Sequence, residues 1–165
     1  MTRVLTSRWE LVNSLSCAGF TVRNLGVRPV RGQVPIRYAW VDVDEVGRPL
    51  AVHAELDLAG IDTSNPRRDG DLRKPRLLAT DRFPTLTFTA GAGEADGDSW
   101  RMPGRLAAHG TETDVVLTVS SRDDGDRVTV HATTTFDRRA LNVRAPRLMI
   151  GAQVAVTIEA VLRRC

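Results

Sequence analysis

Apolar and polar residues alternate along most of this chain with a period of two. The clearest run begins at Leu50 and ends at Leu58, and similar runs occupy residues 86–90, 128–132 and 154–162. Successive side chains of a β-strand point to opposite faces, so this pattern predicts strands with one apolar and one polar face. Such strands are typical of an antiparallel sheet that covers a hydrophobic core on one side.

Less regular runs complete a set of about eight predicted strands. These runs lie at residues 9–22, 30–43, 100–108 and 115–119. The last of them is interrupted by Val116, which breaks the alternation. Turn-forming residues separate the runs, most clearly at Asp124-Gly125, a pair that favours a tight hairpin.

Two segments do not alternate, residues 62–82 and 138–151. In the first, Asn65 and Pro66 form a typical helix start. The acidic Asp69 and Asp71 in the early turns would stabilise this helix by interacting with the positive end of its macrodipole. We therefore predict one short helix over about residues 66–80. The second segment is predicted to be a long late loop.

The predicted fold class is all-β, with an eight-stranded antiparallel barrel as the favoured architecture. Closure of eight strands into a barrel removes the exposed sheet edges that an open sheet would leave. A sandwich of two sheets would show the same alternation, so the periodicity alone leaves both architectures open. The length of 165 residues fits a single domain over residues 1–165.

Composition and charge argue against a nucleic-acid partner. Aromatic residues make up 5% of the chain, which leaves few stacking surfaces for single strands. The net charge is only +3, and the 23 basic residues, all arginine except Lys74, are scattered among 20 acidic ones. A nucleic-acid footprint would need these charges concentrated on one face.

The cysteines and the chain start indicate a reducing compartment. Cys17 and Cys165 cannot form a disulfide framework, and free thiols are the expectation. The first ten residues lack the apolar run of a signal peptide, and no stretch has the length of a membrane helix. The expected location is the cytoplasm.

The residues outside these patterns give little sign of catalytic or metal chemistry. We find no nucleophile elbow, phosphate-binding loop or dinucleotide fingerprint. His53, Glu55 and Asp57 share one face of a predicted strand, but a zinc site needs three or four convergent ligands, so a metal role is disfavoured. His109 and His131 add no recognisable spacing. No cofactor and no metal are expected.

The order of several short motifs resembles the YceI family, the polyisoprenoid-binding lipocalin-like barrels. Arg68-Asp69-Gly70-Asp71-Leu72 and Phe83-Pro84, followed by Phe88, are similar to its central signature. Weaker matches occur in the same order from about Trp9 to Leu162. They are residues 15–24, Val30-Arg31-Gly32, Ile61-Asp62-Thr63, Gly104-Arg105-Leu106, Phe136-Asp137-Arg138 and Ile150-Gly151.

This sequence departs from the family pattern at several positions. Leu15, Asn24 and Asp71 stand where relatives usually have histidine. Leu77 and Leu78 replace large aromatic residues. The imidazoles that would serve a head-group or pH role in relatives are therefore missing here, which leaves open a ligand different from that of the family.

The resemblance implies non-catalytic binding, with transport or sequestration, of a long-chain isoprenoid-type lipid, a polyprenyl or quinone, in an apolar barrel tunnel. The candidate tunnel-lining residues are Phe20, Val22, Leu56, Leu58, Phe88, Leu106, Leu117, Val130, Val156 and Ile158. Arg68, Asp69 and Arg138 are candidates for the polar end of the ligand. A structural role for Asp69, capping the helix or forming a salt bridge to Arg138, is at least as well supported.

Three alternatives stay open. Side chains often fill small barrels, which would leave a solid protein-interaction module of a stress-related kind. An isomerase, cyclase or hydrolase would use the same cavity with Asp69, Asp137 or a histidine as acid or base. The basic residues of the two long segments, from Arg67 to Arg82 and from Arg138 to Arg147, would attract a diphosphate or an anionic membrane surface, although solvated charged faces are the commoner case. A homodimer is also open.

Overall fold

The computed structural model describes residues 6–23, 29–75, 77–143 and 152–165. Strands dominate these residues. They are β1 (Ser7–Leu11), β2 (Cys17–Arg23), β3 (Pro29–Val34), β4 (Ile36–Val43), β5 (Pro49–Asp57), β6 (Thr85–Ala90), β7 (Glu94–Asp96), β8 (Ser99–Ala108), β9 (Thr111–Asp123), β10 (Arg127–Asp137) and β11 (Gln153–Arg164). One α-helix, α1 (Pro66–Leu72), and three 3₁₀ turns, Asn13–Leu15, Leu58–Gly60 and Arg138–Leu141, complete the described elements.

The strands close into a single antiparallel ring. From β4 to β11, each strand pairs with the next one along the chain, except that β7 pairs only with β8 and lies outside the ring. β11 then pairs with both β1 and β2, which closes the ring. β1 and β2 run as one strand interrupted at Asn13–Leu15, and β3 and β4 as another interrupted at Pro35. Proline has no N–H for a sheet ladder, which explains the second break. Eight strand positions therefore surround the axis.

The predicted all-β fold class, an eight-stranded antiparallel barrel with one short helix, is confirmed. A closed ring leaves no second sheet, so the sandwich is excluded. The burial of β11 follows the predicted phase, since Val154, Ala160 and Leu162 are buried and Ala155 and Glu159 are exposed.

Helix α1 is shorter than predicted and ends at Leu72 rather than near residue 80. Its start is as expected, since the Asn65 side chain accepts a hydrogen bond from the Arg68 N–H at 3.1 Å and Pro66 occupies the first turn. Pro75 explains the early end, because a residue that precedes proline is disfavoured in the α conformation. The predicted late loop begins with the Arg138–Leu141 turn, and residues 144–151 lie outside the described part of the chain.

The two ends of the barrel differ. At one end, here called the helix end, lie α1, the 109–110 turn and the Arg138–Leu141 turn, next to the paired residues Asp57–Thr85 and Asp137–Gln153. The opposite end, here called the turn end, carries the 44–48 and 124–126 turns and the end of β11. The described parts of both long segments predicted from the sequence, residues 62–75, 77–82 and 138–143, therefore belong to the helix end. Among the described residues, the helices are too short and too polar to cross a bilayer.

Candidate functional site

The ten apolar residues predicted to line a tunnel occupy inward positions of the barrel, and the structure brings them around one interior. Nine lie on strands β2, β5, β6, β8, β9, β10 and β11, and Leu58 begins the 3₁₀ turn at the helix end. Six of them are buried, namely Val22, Leu56, Leu58, Phe88, Leu106 and Leu117. The other four, Phe20, Val130, Val156 and Ile158, are only partly buried.

Several mid-strand side chains that face inward are only partly buried, as they would be in a barrel with interior space. Val156 pairs with Phe20 on one side and Thr134 on the other, and Ile158 pairs with Ala18 and Ala132. Hydrogen-bonded strands close the wall around both residues, so accessible surface on their inward side chains borders the interior. Within the described residues, Met102, at 1% exposure, is the one large side chain that is fully buried.

Not all of the buried inward side chains belong to one packed cluster. Most buried residues, from Val34 on β3 to Ala132 on β10, belong to one cluster. Val22, Val154, Ala160 and Leu162 are equally buried but do not join it. A solid barrel of this size would pack its interior side chains against one another at near-crystalline density. On β11, Ile158 packs against the main cluster, whereas the buried Val154, Ala160 and Leu162 do not join it.

Two phenylalanine rings lie against the wall where glycine leaves room for them. A Cβ atom at Gly32 would lie 2.5 Å from Cζ of Phe20, its cross-strand neighbour. A Cβ atom at Gly104 would lie 2.9 Å from Cζ of Phe88 and 2.4 Å from the Thr89 carbonyl oxygen. An aromatic ring folded over a cross-strand glycine is a known way to pin a sheet. Here it also keeps both rings close to the wall.

We expect Gly32→Ala to narrow the lumen. The added methyl group would lie 2.5 Å from Cζ of Phe20 and 2.9 Å from Cγ2 of the buried Thr63, and we expect the flexible Phe20 ring to give way by turning inward. Affinity for the fluorescent apolar probe aminoanthracene should fall about tenfold, which corresponds to ~1.4 kcal/mol. Gly91→Ala is the matched control, because nothing lies within 4 Å of a Cβ atom there. Equal probe affinity in the wild type and Gly32→Ala would contradict this role of the glycine.

Asp69 and Arg68, predicted for the polar end of the ligand, both contact Thr63 instead of each other. The buried Asp69 carboxylate accepts hydrogen bonds from the Thr63 N–H at 2.9 Å and from its hydroxyl at 2.5 Å. Arg68 donates from Nε to the same hydroxyl oxygen at 2.8 Å and from Nη2 to the Thr63 carbonyl at 2.9 Å. These bonds fasten the start of α1 to the loop before it.

Two further arginines at the helix end bind backbone carbonyls. Arg73 donates to the carbonyl oxygens of Ala59 at 2.8 Å and Ile61 at 2.9 Å. Arg138, the third residue predicted for the polar end, is buried and donates from Nη1 to the Val143 carbonyl at 2.8 Å. The forked guanidinium suits this use, because it offers several donors in fixed directions. These side chains hold the helix end together.

The helix end is only weakly basic. Residues 57–75, 77–84 and 137–143 contain seven basic and six acidic side chains. Arg76, Arg144 and Arg147, which also belonged to the predicted basic segments, lie outside the described residues. The described part of this end thus gives little electrostatic attraction toward an anionic surface.

Asp137 and Arg139 form an exposed ion pair at the start of the 3₁₀ turn. Arg139 donates from Nη2 to the Asp137 carboxylate at 2.6 Å and from its backbone N–H at 2.9 Å. These hydrogen bonds, the side-chain one first, lower the pKa of Asp137 to about 2. The carboxylate thereby caps the turn that leads into the late loop.

This pair should make a small, pH-dependent contribution to stability. Because the folded-state pKa lies below the unfolded value, the contribution is present above about pH 4 and is lost as the pH falls toward 2. We expect Asp137→Asn to lower the unfolding temperature slightly at pH 7 and to match the wild type near pH 2. Thermal unfolding of both proteins over that range is the measurement, and a pH-independent difference would refute the assignment.

The histidines lie on the outer surface or at the helix end. His53 stacks between Tyr38 and Trp40, with ring centroids 5.5 and 5.9 Å away, and its Nε2 lies 3.2 Å from the Tyr38 hydroxyl. His131 contacts Glu159 across the strands. His109 packs edge-on against Phe83 in the 109–110 turn. Among the described residues, no three histidine, cysteine or acidic side chains converge as metal ligands would.

The YceI-like domain family matches residues 9–162, which is nearly the whole chain. The chain belongs to this family. Its resemblance to the family, first read from short ordered motifs, is thus confirmed. A search of curated proteins gives no significant match.

Several solved structures share the fold. BcnA of Burkholderia cenocepacia superimposes with a TM-score of 0.82 over 92% of this chain and 98% of its own, at 18% identity. A polyisoprenoid binding domain from Saccharophagus degradans, described as implicated in plant cell wall breakdown, gives 0.72 over 95% and 98%, at 17% identity. The Campylobacter jejuni YCEI protein gives 0.76 over 87% and 89%, at 19% identity.

The residues of this YceI-like domain that differ from the family signature lie in different parts of the structure. Leu15, in place of a histidine, is 50% exposed in the Asn13–Leu15 turn. Asp71, in place of another, pairs with Lys74 at 2.8 Å on the surface of α1. Asn24 lies outside the described residues. Leu78, in place of an aromatic residue, packs against the apolar cluster at the helix end.

Proposed function

We propose that this YceI-like domain binds a long-chain isoprenoid-type lipid, a polyprenyl or quinone, in the barrel lumen and transports or sequesters it without chemical conversion. The observation that carries the proposal is the partial exposure of Phe20, Val156 and Ile158 on the inner face of a closed wall. An apolar space of this kind suits an apolar chain and disfavours a charged or strongly hydrated ligand.

Burial of the ligand alone provides enough free energy for binding. Each methylene contributes about 0.8 kcal/mol, so ~30 apolar carbons nominally exceed ~20 kcal/mol. Non-covalent affinity saturates near that value, and ordering a flexible chain offsets much of the gain. Tight binding therefore needs no dense network of polar contacts, which fits a lumen lined by aliphatic and phenylalanine side chains.

The choice of an isoprenoid chain is supported by the Saccharophagus degradans relative, whose printed name is a polyisoprenoid binding domain. The proposal that the chain is not an enzyme is supported by the strand phases, which place His53 and His131 on the outer face. Action in the cytoplasm, transient contact with an anionic membrane and a homodimer stay predictions of the sequence.

Lipid extraction tests the proposal. Protein purified from its native host without detergent should release an apolar lipid into organic solvent, near one molecule per chain, as measured by mass spectrometry. The released lipid should carry an isoprenoid chain. Protein that releases no lipid, and that takes up neither decaprenol nor a menaquinone on incubation, would contradict the proposed function.

A further inference from the structure

The seam between β9 and β10 is paired over only part of its length. β10 pairs with β11 along its whole length, but with β9 only from Val128 to Thr133. The half of β9 nearer the helix end pairs with β8 as far as Thr111. In the described structure, residues 111–117 of β9 and 134–137 of β10 are therefore neighbouring strand segments with no ladder between them.

A side chain bridges the start of this gap. The Thr134 hydroxyl donates a hydrogen bond to the Val116 carbonyl oxygen at 2.8 Å. In a continued antiparallel ladder, a backbone N–H of β10 would donate to that carbonyl. The Arg138–Leu141 turn, which lies beside β9 and buries Leu141, borders the other end of the gap. Among the described residues, opening the seam here breaks this one hydrogen bond, whereas opening a paired seam breaks a whole ladder.

A depression of about 650 Å³ lies on the outer surface along this gap. Its lining residues are Pro103, Gly104 and Arg105 of β8, Asp114, Val115 and Val116 of β9, and Thr135 of β10. The depression therefore extends from β8 across β9 to the far side of the unpaired seam. Its two charged members, Arg105 and Asp114, pair with each other at 3.4 Å, so the lining carries no net charge.

Apolar side chains lie on both sides of the unpaired stretch. Val116, which interrupts the alternation of polar and apolar residues in the sequence, is 38% exposed on the outer face beside its cross-strand partner Pro103. Val115 and Leu117, its neighbours in the chain, are buried and face inward. Phe136 lies on the inward face of β10 and packs against the main cluster. An apolar chain that crossed the wall here would contact hydrocarbon on both faces.

The helix end offers a less favourable route into the barrel. Arg68 and Arg73 fasten α1 by donating to the carbonyl oxygens of Thr63, Ala59 and Ile61, at 2.8 to 2.9 Å. Hydrogen bonds from a charged donor are stronger than neutral ones. A lipid chain that entered beside α1 would have to displace several of these charged contacts, whereas the seam is held by a neutral one.

We propose that the unpaired seam between β9 and β10 is a lateral entrance through which the apolar chain of the ligand passes from the outer depression into the lumen. The inference rests on the proposed function and adds a route of entry to it. The chain first lies against Pro103 and Val116, and the Thr134 hydrogen bond then opens. The paired half of the seam, from Val128 to Thr133, keeps the barrel closed meanwhile. Local opening of this kind occurs where few backbone hydrogen bonds must break.

A reversible cross-link across the seam tests this route. In a continued ladder Thr135 would oppose Val116, and both residues line the depression. The double substitution Val116→Cys with Thr135→Cys therefore places two thiols across the gap. Cys17→Ser and Cys165→Ser remove the native free thiols from this protein and from its control. Mass spectrometry checks that the disulfide forms, and thermal unfolding checks that each variant is folded.

Stopped-flow quenching of tryptophan fluorescence by menaquinone measures uptake. Oxidation of the cross-link variant should slow uptake and release about tenfold or more, and leave the Kd within about twofold, because a closed entrance changes both rates alike. Reduction should restore both rates. The matched control is Thr118→Cys with Thr133→Cys, at the last paired position of the same two strands, where oxidation should change neither rate.

A second variant tests the entrance without a disulfide. Thr134→Val keeps the size of the side chain and removes the hydroxyl that donates to the Val116 carbonyl. Uptake and release should both become severalfold faster. Thr157→Val, on the outer face of β11, is the control and should leave both rates unchanged.

Each outcome has a separate meaning. Wild-type rates in both the oxidised cross-link variant and Thr134→Val would refute the lateral entrance and leave the lipid-carrier function standing. If the disulfide does not form, wild-type rates in Thr134→Val overturn the entrance by themselves. A cross-link that weakens binding without slowing uptake would assign the depression to the lumen and also overturn the proposal. A wild type that takes up neither menaquinone nor decaprenol would contradict the proposed function itself.

Discussion

Replacing Val156 with phenylalanine should weaken lipid binding strongly and leave the barrel folded. Val156 lies in the middle of β11, faces inward and is partly exposed to the interior. The larger ring would occupy the space that the lipid needs. We expect the affinity for decaprenol to fall by at least about tenfold, or ~1.4 kcal/mol.

The stability of the same variant distinguishes a lumen from a solid core. In a filled barrel, the extra atoms would overpack the interior and cost about 1–3 kcal/mol. With interior space, the ring buries additional apolar surface, and the free energy of unfolding stays equal or rises. Thr157→Phe, on the outer face one residue away, is the control for lipid binding. Destabilisation of Val156→Phe by a few kcal/mol would count against the lumen.

Asp69→Ala should be the most destabilising of the substitutions considered at the helix end. It removes the acceptor for both the Thr63 N–H and the Thr63 hydroxyl, and Thr63 is only 4% exposed. A buried donor left without a partner costs about 1–3 kcal/mol, so we expect a loss of roughly 3 kcal/mol in the free energy of unfolding, measured with urea.

Two comparisons separate this structural role from a role in ligand binding. Asp81→Ala, at an exposed position of the same connection, should change stability by less than about 0.5 kcal/mol. The folded fraction of Asp69→Ala should bind decaprenol as the wild type does. A stable Asp69→Ala protein with lost lipid binding would show that Asp69 belongs to the ligand site and not to the loop.

The strand architecture was largely predictable because its signal is local. A period of two assigns Val156 and Ile158 to one face and Thr157 to the other without knowledge of the partner strands. Closure of the sheet into a barrel was not predictable from that signal, since the strands of a β-sandwich show the same period of two. The breaks at Pro35 and Asn13–Leu15 were also missed, because the predicted runs at residues 30–43 and 9–22 each span a break. The end of α1 was predicted too late, although Pro75 gave a usable signal.

The polar contacts were much harder to predict, since they depend on residues that only the fold brings together. Arg68 and Asp69 are adjacent in the chain, yet both bind Thr63 through the loop before α1. A depression at the turn end is lined by Trp9, Arg127 and Arg164, which are far apart in sequence and belong to no motif. The glycine opposite Phe20 was recognisable as part of a family motif, but not as the space that holds its ring.

Electron density of the lumen, from crystals of protein purified from its native host, tests the lipid-carrier function most directly. A carrier should show a continuous tube of density along the interior between Ile158 on β11 and Phe88 on β6, four strand positions apart in the ring, and longer than any buffer molecule. An interior in which the inward side chains meet across the axis, with no room for a chain, would contradict the proposed function.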